Sequence, residues 1–425
     1  MNRVQKYFNK LQHELIKAAE AQNRYDFETV NLIAPASPTS MKYFSDYHLH
    51  NAIAEGLLNN RPYAGAEAFN KIEKIAAKVA CQLFSADHAN VQPHSVSQAN
   101  QAVYQALLKN GDKVLAMKFH AGGHLTHGLN INFSGRFFNF KFYGVNSKGF
   151  IDYKEIEKIA LRVKPKMMVC GASSYPRKIE FVKLKNIADK VGAYLLADLS
   201  HPAGLIVTGK FPQPFPYCDV VTFTPDKTLL GPHGGIILCK KELSDQIDKA
   251  VHPGVQSSVP LRRIFHTALN LIDAGKPEFR KFINRLLINM KVFEKEFSKY
   301  PGLMITGGSD THLMVLNTYK TFGLKGNEAE KLLEDIGILT NRQVIPNEQF
   351  GPYVASGIRL GATWITARGC SANDTRLIAK IILANLENPN DLKLQKKSKQ
   401  KLSMFLSVKR KNDVWNDEIN KKLEI

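Results

Sequence analysis

The sequence predicts an α/β fold, in which a large domain built on a mostly parallel sheet precedes a smaller α+β domain. Between about residues 75 and 270, short apolar segments alternate with amphipathic segments of helical length. Such alternation is typical of a parallel sheet flanked by helices. From about residue 271 the pattern changes to a long charged helix followed by mixed elements. We therefore predict four parts, which are residues 1–40 (helical arm and loop), 41–270 (large domain), 271–390 (small C-terminal domain) and 391–425 (basic tail).

The first element is an amphipathic helix over residues 1 to about 30. Its apolar residues recur every three or four positions, at Val4, Phe8, Leu11, Leu15 and Ala18. A loop rich in proline, serine and threonine follows at residues 34–40.

The predicted strands of the large domain are short apolar runs, at residues 113–117, 166–170, 193–198, 219–224 and 234–239. Helices are predicted between them, including one over residues 97–111 that ends at Gly111 and one over residues 183–192. The small domain begins with a charged helix over residues 278–300 and ends near Leu386.

The composition is that of a globular protein and excludes a disordered or collagen-like chain. Of 425 residues, 44% are hydrophobic and 23% are charged, with 28 glycines and 19 prolines. No apolar run reaches about 18 residues, and the N-terminus lacks an apolar core, so we expect neither a membrane span nor a signal peptide. The five cysteines form no CxxC pair, which favours a reducing cytoplasm over a disulfide framework.

The chain is strongly basic, with a formal net charge of +20. This charge is compatible with nucleic acid or other anionic partners, but the basic residues are mostly spread along the chain, which favours ordinary solvated surface. The exception is the tail, with ten Lys and Arg against five acidic residues. We expect a tail helix that packs through Leu402, Phe405, Leu406 and Trp415.

An acid, a histidine and a lysine follow two neighbouring predicted strands. Asp198 and His201 come at the end of one strand, and Lys227 follows the next. The carboxyl ends of parallel strands meet at the edge where α/β folds bind ligands. A pyridoxal phosphate enzyme needs a lysine for its Schiff base and an acid that keeps the pyridine nitrogen protonated. The spacing alone does not exclude the alternatives that Lys227 is a surface lysine and that Asp198 caps a loop.

Two further segments offer groups for anions. Ser95 and Ser97 lie at the start of the helix predicted over residues 97–111, where they form either an anion site or a plain N-cap. Arg359 stands among small residues in SGIRLGATWITARG. Arginine is the natural bidentate partner of a substrate carboxylate, although a surface ion pair is the alternative.

Three histidines in FHAGGHLTHG, at positions 120, 124 and 127, raise the question of a metal. Their spacing is not HExxH and no carboxylate is nearby, so we predict no metal site. An aromatic ring presented by a glycine-rich loop fits stacking on a planar cofactor better.

The blocks NVQPHSVSQAN, GGHLTHG, NFSGRFFNF, LADLSHPAGL, DKTLLGPHGG and SGIRLGATWITARG occur in one order. Through these blocks and their order, the chain resembles the serine hydroxymethyltransferase family over roughly residues 30–385. These are pyridoxal phosphate enzymes of fold-type I, the aspartate aminotransferase-like class. The resemblance implies a cytoplasmic transferase of one-carbon metabolism that interconverts serine and glycine. It also implies tetrahydrofolate as one-carbon acceptor and a homodimer or a dimer of dimers.

The resemblance implies a role for each matching residue of the cofactor site. These are Lys227 (Schiff base), Asp198 (pyridine nitrogen), His124 (ring stacking), Ser95 and Ser97 (phosphate), and Ser173 and His201 (phenolic oxygen).

The resemblance likewise implies residues that handle the substrates. These are Arg359 (amino-acid carboxylate), Glu55 (substrate hydroxyl and folate proton), Tyr63 (contributed across the dimer), and Leu125 and Asn347 (near the folate).

Several positions depart from the family motifs. They are Asp226 for the histidine of HKT, Val96 for the glycine of SGS, Pro35 for the serine of ASENYTS, Ile53 for a tyrosine, His233 for the arginine of GPRGG, and residues 252–260 for PGGQGGP. A carboxylate beside the lysine tends to raise the pKa of that lysine. The departures leave three interpretations open: a hydroxymethyltransferase with reduced or altered activity, a folate-independent aldolase or transaldolase acting on a β-hydroxy amino acid, and a non-catalytic paralogue that binds nucleic acid or protein.

Overall fold

A seven-stranded sheet lies at the centre of the computed structural model, which describes residues 3–38, Leu49 and residues 53–411. The strands are β1 (Val30–Asn31), β2 (His88–Asn90), β3 (Lys113–Met117), β4 (Asn139–Tyr143), β5 (Met167–Cys170), β6 (Tyr194–Asp198), β7 (Val220–Phe223), β8 (Ile236–Cys239), β9 (Leu313–Leu316), β10 (Ile338–Leu339), β11 (Asn341–Gln343) and β12 (Gly357–Gly361).

The described residues also form fifteen α-helices. They are α1 (Arg3–Glu28), α2 (Glu67–Phe84), α3 (Val96–Leu107), α4 (Phe133–Phe137), α5 (Tyr153–Val163), α6 (Phe181–Val191), α7 (Ala203–Val207), α8 (Ser244–Lys249), α9 (Leu261–Ala274), α10 (Pro277–Phe297), α11 (Thr318–Phe322), α12 (Gly326–Asp335), α13 (Thr363–Ala367), α14 (Ala372–Glu387) and α15 (Leu392–Lys411).

The large sheet has the strand order β2-β8-β7-β6-β5-β3-β4. The pairs from β4 through β7 are parallel, whereas β8 runs antiparallel to both β7 and β2. Every residue of β5, β7 and β8 is buried, because helices cover both faces of the sheet. The predicted α/β class with a mostly parallel sheet is therefore confirmed.

A smaller antiparallel sheet follows in the chain, with the order β11-β12-β9. The two-residue strand β1 pairs in parallel with β10, which ties the end of the N-terminal arm to the C-terminal part of the chain. The separate sheet agrees with a change of architecture after residue 270, while the boundaries at residues 40, 270 and 390 stay predictions.

One predicted helix end is wrong. The helix that begins near residue 96 ends at Leu107 and not at Gly111, because Leu108 has extended backbone angles (φ −126°, ψ 156°). Leu107 and Leu108 are both buried, so the chain leaves the helix in order to place both apolar side chains. Gly111, with φ +85°, lies in the turn that leads into β3.

The tail begins with α15, which contacts α1 and α14. Leu402 is buried, and Phe405 and Leu406 are half-buried, as the sequence predicts. Trp415 lies outside the described residues.

All five cysteines are free thiols. None of the described helices combines the length and the apolar character that crossing a membrane requires.

Candidate functional site

Strands β5, β6 and β7 end at the same edge of the large sheet, beside a cavity of about 220 Å³. The cavity is lined by Pro35, Val96, His124, His127, Ala172, Ser173, Asp198, Ser200, His201, Lys227 and Arg359. Six sequence-predicted site residues are thus brought together, although Arg359 comes from the small sheet. At Gly171, just after β5, an added Cβ would lie 1.9 Å from the Asp198 carbonyl oxygen, so only glycine permits this close approach.

Asp198 is the last residue of β6, and its buried carboxylate accepts hydrogen bonds from three other side chains. The donors are Asn100 Nδ2 at 2.9 Å, Ser200 Oγ at 2.6 Å and His127 Nε2 at 3.3 Å. Burial acts to raise the pKa of Asp198, but the hydrogen bond from His127 and the neighbouring imidazoles outweigh it, and the pKa is lowered. The carboxylate therefore stays ionised inside the protein.

Lys227 lies on the turn that follows β7, and its amine is buried. Burial lowers the pKa of Lys227, while the carboxylates of Asp226 and Asp198 act in the opposite direction. Nζ of Lys227 forms no hydrogen bond within the described part of the chain. A buried amine with a lowered pKa is available as a nucleophile.

His124 and His127 come from the glycine-rich loop after β3. Nδ1 of His124 lies 2.8 Å from Thr126 Oγ1, and burial lowers the pKa of His124 to about 4. The ligand atoms of His124, His127 and Asp198 all lie within 4.8 Å of one another, a spacing that could hold a metal ion. The expectation of no metal stays a prediction.

His201 stacks on His312, with ring centroids 5.3 Å apart. A hydrogen bond of 3.2 Å joins Nδ1 of His201 to Nε2 of His312. Burial lowers the pKa of His201 well below its usual value and the pKa of His312 to about 3. Both imidazoles are therefore neutral at pH 7, each able to donate one hydrogen bond and accept another.

Arg359 reaches the cavity from β12. Its Nε donates to Asn341 Oδ1 at 3.1 Å and its Nη1 to the Ser173 carbonyl at 2.6 Å. Among the residues that the structure describes, no carboxylate pairs with Arg359. Burial lowers the pKa of Arg359 to about 10, so the guanidinium is still charged at pH 7. Nη2 is left for a ligand.

Ser95 and Ser97 flank the cavity residue Val96 at the N-terminus of α3. Ser95 is the N-cap and accepts a hydrogen bond from Gln98 N at 3.2 Å. The turn before β8 packs closely here, because a Cβ on Gly235 would lie 2.3 Å from the Ser95 carbonyl oxygen. The backbone N–H groups of a first helical turn lack intrahelical acceptors, so this helix end suits an anion.

Six predicted site residues do not line this cavity: Ser95 and Ser97, which flank Val96, and Glu55, Tyr63, Leu125 and Asn347. Glu55 is half-buried, 3.8 Å from Nε2 of His252. Tyr63 and Leu125 are exposed, and Asn347 is an exposed residue with φ +61°.

Four further residues complete the site and have no role predicted from the sequence: Asn100, His127, Ser200 and His312. His127 lies in the motif GGHLTHG and Ser200 in LADLSHPAGL. Their short spacing from His124 and Asp198 is therefore a sequence pattern that indicates a place in the site. Asn100 and His312 are 98 and 111 residues from their partners Asp198 and His201, and no local pattern points to them.

A lysine and an ionised acid share a cavity at the carboxyl edge of a mostly parallel sheet, beside a helix N-terminus that suits an anion. This combination of fold and site defines the fold-type I class of pyridoxal-phosphate-dependent enzymes.

Comparison with known proteins identifies the family. The family model for serine hydroxymethyltransferase matches residues 8–382. The serine hydroxymethyltransferase of Mycoplasma mycoides subsp. mycoides SC is 44% identical over 357 residues, which are 84% of this chain and 86% of that protein. That of Mesoplasma florum is 45% identical over 353 residues, 83% of this chain and 86% of the relative. The chain belongs to the serine hydroxymethyltransferase family, whose enzymes use pyridoxal phosphate, with tetrahydrofolate as co-substrate.

The residues present fit pyridoxal phosphate. The cofactor has an aldehyde, a ring nitrogen and a phosphate. The site offers a buried amine without a hydrogen-bond partner among the described residues, a buried carboxylate and the N-terminus of α3. The carboxylate keeps its charge despite burial, as an acid facing a protonated ring nitrogen must.

Proposed function

We propose that this protein interconverts serine and glycine and passes the hydroxymethyl carbon to tetrahydrofolate. The observation that carries the proposal is the convergence of Lys227, Asp198 and Arg359 on one cavity. These side chains provide an attachment point for the cofactor, a counter-charge for its ring and a cation for an amino-acid carboxylate. Membership of the family supports the same activity.

Lys227 and Asp198 are proposed to hold the cofactor at its two reactive positions. Bound pyridoxal phosphate supplies an electron sink for the electron pair left when a bond to the substrate α-carbon breaks. Lys227 would hold the cofactor through its aldehyde, because its buried amine has a lowered pKa and is available as a nucleophile. Asp198, ionised through its hydrogen bonds from Asn100, Ser200 and His127, keeps a proton on the ring nitrogen.

The rest of the proposed cofactor site orients the ring. His124 lines the cavity with a neutral imidazole and is assigned to stack on the ring face. Ser173 and His201 are assigned to the phenolic oxygen, as the family resemblance implies, and both line the cavity. Ser95 and Ser97, at the N-terminus of α3, are assigned to the phosphate.

Arg359 is proposed to bind the carboxylate of serine or glycine. Its Nε and Nη1 are held by Asn341 and by the Ser173 carbonyl, so the guanidinium plane is fixed before substrate arrives. A buried guanidinium without a carboxylate partner in the described part of the chain favours binding of an anionic group.

Glu55 is proposed to move the proton of the substrate hydroxyl and of the folate. Because Glu55 and Tyr63 do not line the cavity of their own chain, we propose a homodimer in which they complete the partner's site. Leu125 and Asn347, both exposed, are assigned to the folate. The dimer would bury the Tyr63 side chain, which is 46% exposed in the single chain.

A folate-independent aldolase is the second candidate, and one observation favours it. Pro35 lines the cavity where the family motif has a serine, so the contact that this serine would make to substrate is absent. Cleavage of β-hydroxy amino acids without tetrahydrofolate, at a rate matching the folate-dependent reaction, would favour the aldolase.

The test compares wild-type protein with Lys227→Ala after loading with pyridoxal phosphate. We expect a visible absorption band that depends on Lys227 and changes on addition of serine or glycine. We also expect glycine formation from serine that requires tetrahydrofolate. The absence of a Lys227-dependent band at saturating cofactor would contradict the assignment of the site, and glycine formation that ignores tetrahydrofolate would contradict the proposed acceptor.

A further inference from the structure

The residue before Lys227 is held at all three of its oxygen atoms. Oδ1 of Asp226 accepts a hydrogen bond from Thr224 Oγ1 at 2.6 Å, and Oδ2 lies 2.5 Å from Nδ1 of His233. The backbone oxygen of Asp226 accepts from Ser37 Oγ at 2.7 Å. Three polar contacts therefore hold Asp226, the residue that directly precedes Lys227.

The contact between Asp226 and His233 closes the connection between β7 and β8. Asp226 stands near its beginning and His233 near its end, and a backbone hydrogen bond from Gly231 N to the Pro225 oxygen at 2.9 Å tightens it. Leu230 takes a left-handed backbone conformation, with φ +62°. A non-glycine residue in this conformation is strained and is held by the contacts around it.

The Asp226 carboxylate also acts on Lys227 electrostatically. It is the largest influence that opposes the effect of burial on the lysine. Within the described residues, His233 is the basic side chain that contacts this carboxylate. The Asp226 side chain is 26% exposed, whereas that of His233 is 70% exposed, so the pair lies where the site meets the surface.

Asp226 and His233 are two of the positions at which the sequence departs from the family motifs. Judged one by one from the sequence, Asp226 replaces a histidine by an acid and His233 replaces an arginine by a weaker base. In the structure the two replacements contact each other, so they constitute one coupled change.

We propose that Asp226 and His233 form a positioning pair for Lys227, in which His233 orients the carboxylate and the carboxylate sets the charge and orientation of the lysine nitrogen. This inference rests on the proposed function, because it takes Lys227 as the attachment point of pyridoxal phosphate. Neither residue lines the cavity, so both act through Lys227.

Other charged or titratable groups influence Lys227 from the elements around it. They are Asp198 after β6, Arg359 on β12, His124 after β3, and His201 and His312 from the stacked imidazole pair. All of them are retained in every variant described below, so their influence is common to each comparison.

The experiment is a double-mutant cycle read by absorption. Wild type, Asp226→Asn, His233→Asn and the double variant are loaded with pyridoxal phosphate, and the visible spectrum is titrated with pH. We expect Asp226→Asn to move the midpoint to lower pH by about one unit, because the lysine nitrogen loses an adjacent negative charge. We expect His233→Asn to move the midpoint when Asp226 is present and to leave it in place in the Asp226→Asn background.

A matched control is available in the pair His88–Asp248, in which Nε2 and Oδ1 are 2.9 Å apart and the side chains are 23% and 26% exposed. His88→Asn should leave the spectral midpoint unchanged. If Asp226→Asn fails to fold, as judged by thermal unfolding without cofactor, Asp226→Glu replaces it, because one added methylene displaces the carboxylate and the same non-additive pattern is expected.

Two results would overturn the inference. One is a midpoint that Asp226→Asn leaves unchanged, and the other is additivity of the two substitutions. If wild type has a Lys227-dependent band and either result is found, only the positioning pair is excluded. A wild type without such a band would instead exclude the proposed function.

Discussion

At the scale of single residues, burial and a small number of partners set the charge of each site group. Asp198 stays ionised because Asn100, Ser200 and His127 all donate to it. The imidazoles of His124, His201 and His312 are neutral because burial disfavours their cationic forms. The site therefore presents one fixed negative charge surrounded by neutral rings and the cation of Arg359.

These pKa values predict how stability depends on pH. In the folded protein the pKa of His124 is about 4 and that of His312 about 3, against 6.5 when unfolded. Below pH 6.5 the unfolded chain therefore binds more protons, and stability falls as pH falls, by at most about 1.4 kcal/mol per pH unit for each of these histidines. Asp198 adds nothing in this range, because its lowered pKa makes stability fall only below about pH 4.

Urea unfolding of the cofactor-free protein at pH 7, 6 and 5 measures this dependence. We expect the unfolding midpoint to fall with each step, and His312→Gln to reduce the fall. A midpoint that stays constant or rises on acidification would contradict the neutral, buried state of these imidazoles.

At the scale of elements, helix α3 links the sheet to the proposed anion site. Ser95 caps the helix, and Val96 and Asn100 on the same helix contribute to the cavity and to the Asp198 network. The N-terminal turn of α3 is thus positioned by the same contacts that hold the acid. Val96, at the position of a family glycine, has helical backbone and is buried against the cavity.

The N-cap of α3 should serve both stability and cofactor binding. Ser95→Ala removes the acceptor for Gln98 N, so we expect a loss of about 1 kcal/mol in unfolding free energy. We also expect the Kd for pyridoxal phosphate to rise about fivefold. Fluorescence titration of the cofactor, beside chemical unfolding, gives both values.

Ser371→Ala is the matched control for that variant. Ser371 caps α14 and accepts from Asp374 N at 3.3 Å, but it does not line the cavity. It should cost similar stability and leave the Kd unchanged. Equal effects of both variants on the Kd would mean that the loss at Ser95 reflects stability and not the anion site.

At the scale of the whole molecule, the cavity draws on both sheets and on the N-terminal segment. The large sheet contributes Lys227 and Asp198, the small sheet contributes Arg359, and the segment after β1 contributes Pro35. The pairing of β1 with β10 holds that segment against the C-terminal part of the chain. Glu55 and Tyr63 do not join this cavity, which is the basis for the proposed dimer.

Mixed dimers test whether the site is shared between two chains. Glu55→Gln and Lys227→Ala should each be inactive alone. After the two variants are unfolded together and refolded, we expect roughly a quarter of wild-type activity, because half of the random dimers are mixed and each of these has one intact site. If the mixture stays inactive while a wild-type refolding control recovers, Glu55 acts within its own chain or not at all.

The sequence by itself determined the fold class and the family, and it predicted that Lys227 and Asp198, which the structure places in one cavity, hold the cofactor. The strand over residues 113–117 coincides with β3, and the other predicted strands of the large sheet differ from β5 to β8 by at most two residues at an end. Buried strands require continuous apolar runs, and the residues after neighbouring parallel strands meet at one edge, so both features can be recognised locally.

Only the tertiary structure decided which distant side chains complete the site and where α3 ends. Asn100, His312 and the coupling of Asp226 with His233 depend on which surfaces pack together, and no local pattern encodes that. The end of α3 follows from the burial of Leu107 and Leu108, which outweighs the turn signal at Gly111. Long-range packing sets these features because a buried polar group needs a partner wherever in the chain that partner lies.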